Sequence, residues 1–354
     1  MATIKDIARE AGVSFTTVSN VIHGNTKRVS PATIEKIEKI MKEMHYVPNM
    51  GARMLVKHRS DIIGVIANDL TDPSREGIQS PFMSEILGTM EKEIRRNGYY
   101  MMLCFSNSAE EIEKLLSTWN AAGIITVSMG TRDSRRLGEK IKVPAVFTDC
   151  YFREEETYCN VGTEDEAGAF EITSYLLGLG HRKIRFVSDV DRSRVDDLCD
   201  VGRMREYGFV RAMAQAGIPD GEQRILFCGN TAEEKEHLFE EIVRKKDGIT
   251  ALVFCNDYLA IEGMDYFLHH NIRIPEDFSI TGFDDIDMAH LTNPRLTTIH
   301  QGVSEKGRLA VRNMISLIEK EQICSKSVRL PVKLVIRESA QKISQRVLRK
   351  TIDI

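Results

Sequence analysis

The stretch from Thr3 to Ile22 constrains this chain more than any other. It holds two short amphipathic segments separated by Gly12-Val13-Ser14. Thr3 is placed to cap the first helix, with Asp6 three residues on to close a capping box and to favour the positive helix end. Ile4, Ile7 and Ala8 give that helix one apolar stripe. Gly12 permits the turn, and Ser14 is a good cap for the second helix, whose Val18, Val21 and Ile22 must face the first. Thr16 and Asn20 point the other way, and Phe15 falls at the edge of the apolar sector, where packing is its expected role. This is the pattern of a helix-turn-helix. Its outward polar face suits either solvent or the groove of a duplex, so DNA is the first partner to consider.

A third helix should begin at Ser30-Pro31, a cap followed by proline at the first helical position, and carries Ile34, Ile37, Met41 and Met44 at helical spacing. Pro48 closes the unit by turning Val47 out of the helical region. The segment 49–56 that follows is too short to hold a helix alone, and Gly51 weakens it by roughly 1 kcal/mol relative to alanine. Charge divides the chain at the same place. Residues 1–58 carry nine Lys or Arg against five Asp or Glu, leaving 39 against 47 for the rest, so a head of +4 is joined to a body of −8. A basic head on an acidic body is what phosphate contact by the head alone requires.

A length of 354 residues allows two or three domains with real cores. No export signal, membrane-spanning run or lipidation motif is visible, and the seven cysteines lack metal-binding spacing, which points to reduced thiols in the cytoplasm. From Asp61 onward short apolar runs alternate with longer amphipathic ones. Strands are expected at 62–67, 99–105, 123–127, 145–148, 183–188, 225–227, 251–255 and 279–282, with helices near 82–97, 109–120, 131–140, 165–179, 202–216, 232–245 and 257–270. Such alternation means parallel sheets covered by helices, and two similar series suggest twin lobes with a crevice between them. Ligands in such sheets lie beyond the carboxyl ends of the strands.

The opening through Asn20, with Arg53-Met54-Leu55, Gly282-Phe283-Asp284, Leu296-Thr297-Thr298-Ile299 and Leu330-Pro331, resembles the LacI/GalR family of bacterial transcription regulators over nearly the whole chain. The resemblance implies an all-α helix-turn-helix head plus an α/β two-lobed, periplasmic-binding-protein-like body of parallel sheets flanked by helices. It implies a head at 1–47, a hinge at 48–59, a body at 60–340 and a tail at 341–354. Within the body, one lobe would comprise 60–160 and 292–322, and the other 161–291 and 323–340. It further implies a homodimer, or a tetramer built from two, on a pseudo-palindromic operator, acting at the nucleoid as a repressor under allosteric control by a small molecule.

Carried over by position, Phe15, Thr16 and Asn20 would read base edges in the major groove and Thr3, Ser14 and Thr17 would touch phosphates. Leu55, beside Arg53, would wedge into the minor groove. Asn suits adenine and no Arg is present to fork onto guanine, so half-sites rich in A·T are expected. In the crevice the same resemblance assigns effector contacts to Phe82, Arg205, Asp257 and Asp284, with Asp257 first a helix cap. By residue chemistry alone Arg205 and Asp284 each read as a salt bridge or a helix cap, and Phe82 equally as a core residue; taken with the resemblance, Arg205 and Asp284 would form a polyol clamp, guanidinium donating and carboxylate accepting. Two long loops, 72–79 and 189–200, depart from the family pattern; the five acids of the second suit a solvated surface loop, and if they line the entrance instead they favour a neutral or cationic ligand. A neutral sugar or glycoside is therefore the expected effector, with no cofactor.

Three rivals are weighed against this. An enzyme lacks a phosphate loop or a nucleophile set, since Gly178-Leu179-Gly180 reads only as a helix stop. Its acids Asp284, Asp285 and Asp287 invite a metal, but alternating acids after a strand serve more often as caps and surface. A secreted sugar-binding protein, which the body alone would suit, is opposed by the absent export signal and by the amino-terminal head. A protein co-regulator in place of the small effector keeps the DNA function and is opposed only by Arg205 and Asp284.

Overall fold

The computed structural model describes residues 2–22, 26–46, 60–67, 80–106, 108–190, 200–245, 248–321 and 327–343. It divides into two compact units, 1–60 and 61–354. The hinge segment 48–59 with Arg53 and Leu55, the loop 72–79 and most of the tail lie outside the described residues. So does 191–199, most of the acidic loop.

Among the described residues the head has three α-helices, α1 (Ile4–Ala11), α2 (Phe15–Ile22) and α3 (Pro31–Glu43). Thr3 and Asp6 form the expected reciprocal box, each side chain accepting from the other's backbone amide. Gly12 ends α1 with φ +64°, a left-handed cap that glycine adopts without strain. Ser14 Oγ accepts from the amide of Thr17 at 3.0 Å, and Ser30 Oγ from that of Thr33 at 3.2 Å. Ile7, Ala8, Ala11, Val18, Ile37 and Ile40 make a small buried core, flanked by Ile4, Val13, Val21, Ile22, Met41, Met44 and Tyr46.

The body contains a six-stranded sheet and a four-stranded sheet, both parallel throughout. The first is built from β1 (Ile62–Ala67), β2 (Tyr100–Phe105), β3 (Gly123–Val127), β4 (Ala145–Thr148), β5 (Cys159–Thr163) and β11 (Ser327–Leu330), in the order β11-β5-β4-β3-β1-β2. The second holds β6 (Ile184–Ser188), β7 (Ile225–Phe227), β8 (Ala251–Phe254) and β9 (Ser279–Thr281), ordered β7-β6-β8-β9. β10 (Thr298–His300) and β12 (Lys333–Val335) pair antiparallel beside it. Helices α4 (Pro81–Arg96), α5 (Ala109–Trp119), α6 (Thr131–Lys140) and α11 (Val303–Glu319) accompany the first sheet. Helices α7 (Asp165–Gly178), α8 (Val201–Gln215), α9 (Ala232–Lys245) and α10 (Asp257–His269) accompany the second.

Each sheet faces its own core. Ile63, Val65, Ile125, Val127 and Val146 pack with Met83, Ile86 and Met90 of α4 and Ala310, Val311 and Met314 of α11 in lobe 1. Phe186, Val253, Phe254 and Ile280 pack with Phe209 of α8 and Phe267 of α10 in lobe 2. All eight expected strands are present, within one residue at each end.

The lobe division differs from the expected one in three places. Cys159–Thr163 lies wholly in the first sheet, bonded between β4 and β11. Thr297 to Ile299 side with lobe 2, because Thr297 bridges Thr281 and Leu296 and Ile299 join its core. Ser327–Leu330 then returns to the first sheet before β12 goes back to the second. Among the described residues the chain therefore passes between lobes three times, after Thr163, after His300 and after Leu330.

Candidate functional sites

The outward face of α2 is the first candidate. Val18 is buried against α1 and α3, which leaves Phe15 and Thr16 exposed and Thr17 and Asn20 half-buried. Phe15 is 51% exposed and takes no part in the head core, so its expected packing role is corrected. The apolar sector of α2 is already filled by Val18, Val21 and Ile22. Thr3, Ser14 and Thr17 stand at helix starts, where unpaired amides and the helix dipole attract anions. Ser14 Oγ and Thr17 Oγ1 are 2.8 Å apart, so the two hydroxyls form one polar point at the start of α2.

The second candidate lies between the lobes, where strand ends converge. Asp149 follows β4, Asp165 follows β5, Asp257 follows β8 and Asp284 follows β9. Asp149 and Asp284 both adopt positive φ, +56° and +122°. Strain of this kind concentrates where surrounding structure holds a functional group in place.

Arg205 of α8 is the hub. Its Nε and one terminal nitrogen each lie 2.9 Å from Asp165 Oδ1. The other terminal nitrogen donates to the Cys255 carbonyl at 2.6 Å and sits 3.3 Å from Asp284 Oδ1. Its guanidinium rests on the Phe283 ring at 3.7 Å. Only 6% of Arg205 is exposed. Burial disfavours its charge, but Asp165 and Asp284 outweigh that and raise its pKa above the ordinary value. α8 can bring Arg205 there because Gly208, one turn on, lets it close on α7: a Cβ at Gly208 would stand 2.2 Å from the Glu166 carbonyl.

The network continues into lobe 1. Gln301 donates to Asp284 Oδ1 at 2.6 Å and accepts from Lys306 Nζ at 2.8 Å, while the same ammonium donates to Asp149 Oδ1 at 2.6 Å. Tyr151 donates to Asp165 Oδ2 at 2.6 Å and is covered by the Arg329 guanidinium at 3.9 Å. Phe82, second residue of α4, packs on the lobe 1 core with Lys306 Nζ 5.3 Å from its ring centre. Burial pushes the Asp284 carboxyl up to about 6 against the pull of Arg205 and Lys306, and raises Asp149 in the same way against Lys306. The Tyr151 hydroxyl is raised by burial and by Asp165. Asp149, Asp165 and Asp284, with the buried Asp257 beside Asp284, thus share one seam with Arg205 and Lys306, and Arg329 stands at its edge over Tyr151.

Phe82, Arg205 and Asp284 are brought into this one neighbourhood. Asp257 is not the helix cap expected: Asn256 caps α10, accepting from the Leu259 amide at 2.8 Å. Asp257 is fully buried, accepting from Thr298 Oγ1 at 2.5 Å and from the Ile286 amide at 3.0 Å, and burial followed by Asp284 pushes its carboxyl up to about 7. It pins the β9 end to β10. Gly282 makes room for it, since a Cβ there would meet Asp257 Oδ1 at 2.2 Å. The metal reading of the acidic run meets other partners: Asp285 accepts from Arg337 at 2.5 Å and pairs with His300 at 3.0 Å, and Asp287 projects into solvent. Sequence reasoning did not single out Asp149, Tyr151, Asp165, Gln301, Lys306 or Arg329. The strand-end rule could have found Asp149 and Asp165; α11 offered no signal for Lys306.

Comparison with known proteins agrees with this architecture. Residues 3–49 match the bacterial regulatory proteins of the lacI family, and residues 173–340 match a periplasmic binding protein-like domain. The HTH-type transcriptional repressor PurR of Vibrio vulnificus is 30% identical over 351 residues, covering 97% of this chain and 100% of that protein. Among solved structures, the lac repressor dimer bound to operator and the anti-inducer ONPF superposes with a TM-score of 0.80 at 24% identity, covering 96% of this chain and 99% of that one. A complex of the transcriptional regulator CelR with cellobiose gives 0.70 at 23% identity, covering 96% and 100%. Among the described residues no helix is long and apolar enough to cross a membrane. With its capped three-helix head and its twin parallel sheets, the chain belongs to the LacI family of bacterial transcriptional regulators.

Proposed function

We propose that this chain is a repressor that binds a pseudo-palindromic operator as a homodimer, and that a neutral sugar or glycoside between the lobes sets its affinity for DNA. The observation that carries the reading is the buried seam in which Arg205, Asp165 and Asp284 meet Gln301, Lys306 and Asp149. It joins groups from both lobes, so a ligand that replaces any of these bonds changes how the lobes are held, which is a coupling free energy in the required sense. Carboxylates in excess of cations disfavour anionic ligands, while alternating donors and acceptors match paired hydroxyls. Kinship with a repressor supports repression, and such a protein works in the cytoplasm where its DNA is.

In the head, Phe15, Thr16 and Asn20 read bases and Thr3, Ser14 and Thr17 hold phosphates, with Arg53 and Leu55 completing the minor-groove contact from a hinge at 48–59. The test is selection of DNA sites by purified protein, followed by titration of the selected site at fixed salt with and without a panel of neutral sugars. A selected palindrome whose affinity moves when a sugar is added is the expected result. Failure to prefer any sequence over bulk DNA defeats the reading, as does calorimetry that finds binding of a sugar phosphate and of no neutral sugar.

A further inference from the structure

Helix α11 turns Val303, Gly307, Ala310, Val311, Met314 and Ile318 into the protein. Lys306 lies in that same stripe with its side chain 1% exposed. Packing alone would place an aliphatic side chain there, because a buried ion pair gains little over apolar groups of like volume. An ammonium has three hydrogens to donate. Lys306 commits one to Asp149 and one to Gln301, and its Nζ faces Phe82. Gln301 in turn donates to Asp284, so the ammonium stands at the meeting of the lobes, one side chain removed from the lobe 2 carboxylate.

We propose that Lys306 is a specificity-determining residue of the cleft, donating a hydrogen bond from its ammonium to one oxygen of a neutral hydroxylated ligand while Asp149 and Asp284 accept from neighbouring hydroxyls. The inference rests on the sugar reading above and adds the group in lobe 1 that does the selecting. A charged donor gives a stronger bond than a neutral one. A site built to donate to an oxygen also rejects the analogue that lacks it, since the buried ammonium then loses a partner it cannot recover from water. Phe82 supplies the apolar wall such a ligand's ring needs.

The experiment is calorimetry on the full-length protein with neutral mono- and disaccharides, led by D-ribose, D-glucose, maltose and cellobiose, then with the monodeoxy series of whichever sugar binds. In the wild type, loss of one particular hydroxyl should weaken binding by roughly tenfold or more. In Lys306→Met that penalty should vanish, the parent sugar and that one deoxy analogue binding alike. Because the single substitution strands Asp149, Lys306→Met combined with Asp149→Asn removes both charges and gives a second protein in which the same comparison is made, its folding checked by circular dichroism. Equal deoxy penalties in wild type and variants, or unchanged affinity for the parent sugar, overturn the inference and leave the sugar reading standing. If no neutral sugar binds the wild type, the sugar reading itself fails and takes this inference with it.

Discussion

Arg205 and Asp165 are joined through one oxygen: two nitrogens of the guanidinium converge on Asp165 Oδ1, each at 2.9 Å, while Oδ2 of the same carboxylate is left to Tyr151 and Thr163. Every acceptor of Asp165 is therefore engaged in a region closed to water, and the pair locks the start of α7 to the second turn of α8.

Removing the guanidinium should be costly. Arg205→Ala leaves Asp165 and Asp284 buried without their cation, and breaking a buried pair from one side costs about 3–5 kcal/mol. Urea unfolding should show a loss of that order together with abolished sugar response. A loss below about 1 kcal/mol would mean that solvent reaches the pair.

Stability should also depend on pH through Asp257. Its carboxyl is raised from 3.8 to about 7, so the folded protein keeps a proton that the unfolded chain has already lost. The folded state binds more protons between about pH 4 and 7, and this group's contribution, full at low pH, is lost as pH rises through that window. Asp257→Asn mimics the protonated form. It should match the wild type near pH 3 and exceed it near pH 8 by on the order of 4 kcal/mol. A difference between the two proteins that does not change with pH rules this out. Asp284, pushed up to about 6, adds a dependence of the same sign over the lower part of the window.

The head separates stability from recognition. Phe15→Ala should shift the thermal unfolding of the head by no more than about 0.5 kcal/mol, because the ring packs on nothing in the core, yet reduce operator affinity. Asn20→Ala should relax base choice at one half-site position, worth about 1–3 kcal/mol of discrimination. Site selection that returns guanine opposite Asn20 contradicts the A·T expectation. Thr3→Ala should cost the head about 1 kcal/mol through the lost cap, measurable by circular dichroism.

Gly208→Ala tests the close approach of α7 and α8. The added methyl meets the Glu166 carbonyl and the Phe170 amide, at 2.2 and 2.8 Å. The helices must part, at about 1–3 kcal/mol, and Arg205 moves with α8. Weakened sugar binding should accompany the lost stability, and full affinity in the variant would show that Arg205 tolerates the shift.

Why some of this was legible in the sequence and some was not follows from what each residue spends its groups on. The head announced itself because caps are local: Thr3, Ser14 and Ser30 each bond an amide three residues away. β1, β3 and β8 announced themselves as unbroken apolar runs. β5 did not, since Asn160, Gly162 and Thr163 break the run, and the reasons lie outside the strand itself. The Asn160 amide group exchanges two hydrogen bonds with the Cys150 backbone, and Gly162 leaves room for Arg329, whose guanidinium nitrogen would stand 3.1 Å from a Cβ there. Without β5 the lobe boundary was set too early. Lys306 was hidden for a related reason: an isolated lysine on an amphipathic helix is indistinguishable from a solvated one until the fold supplies Asp149, which is 157 residues away in the chain.

The interleaving of the two lobes has a consequence for synthesis and for cleavage. Ser327 aligns with Asn160 across β11 and β5, so lobe 1 is missing its outermost parallel strand until residues 327–330, 164 or more positions after β5 is complete, have left the ribosome. Nor is either lobe a contiguous stretch of chain that one proteolytic cut could release as a whole. A nick in any loop of the body leaves both lobes stitched together by the remaining passages, so loss of ligand response after nicking reports on the severed passage and not on a lobe set free.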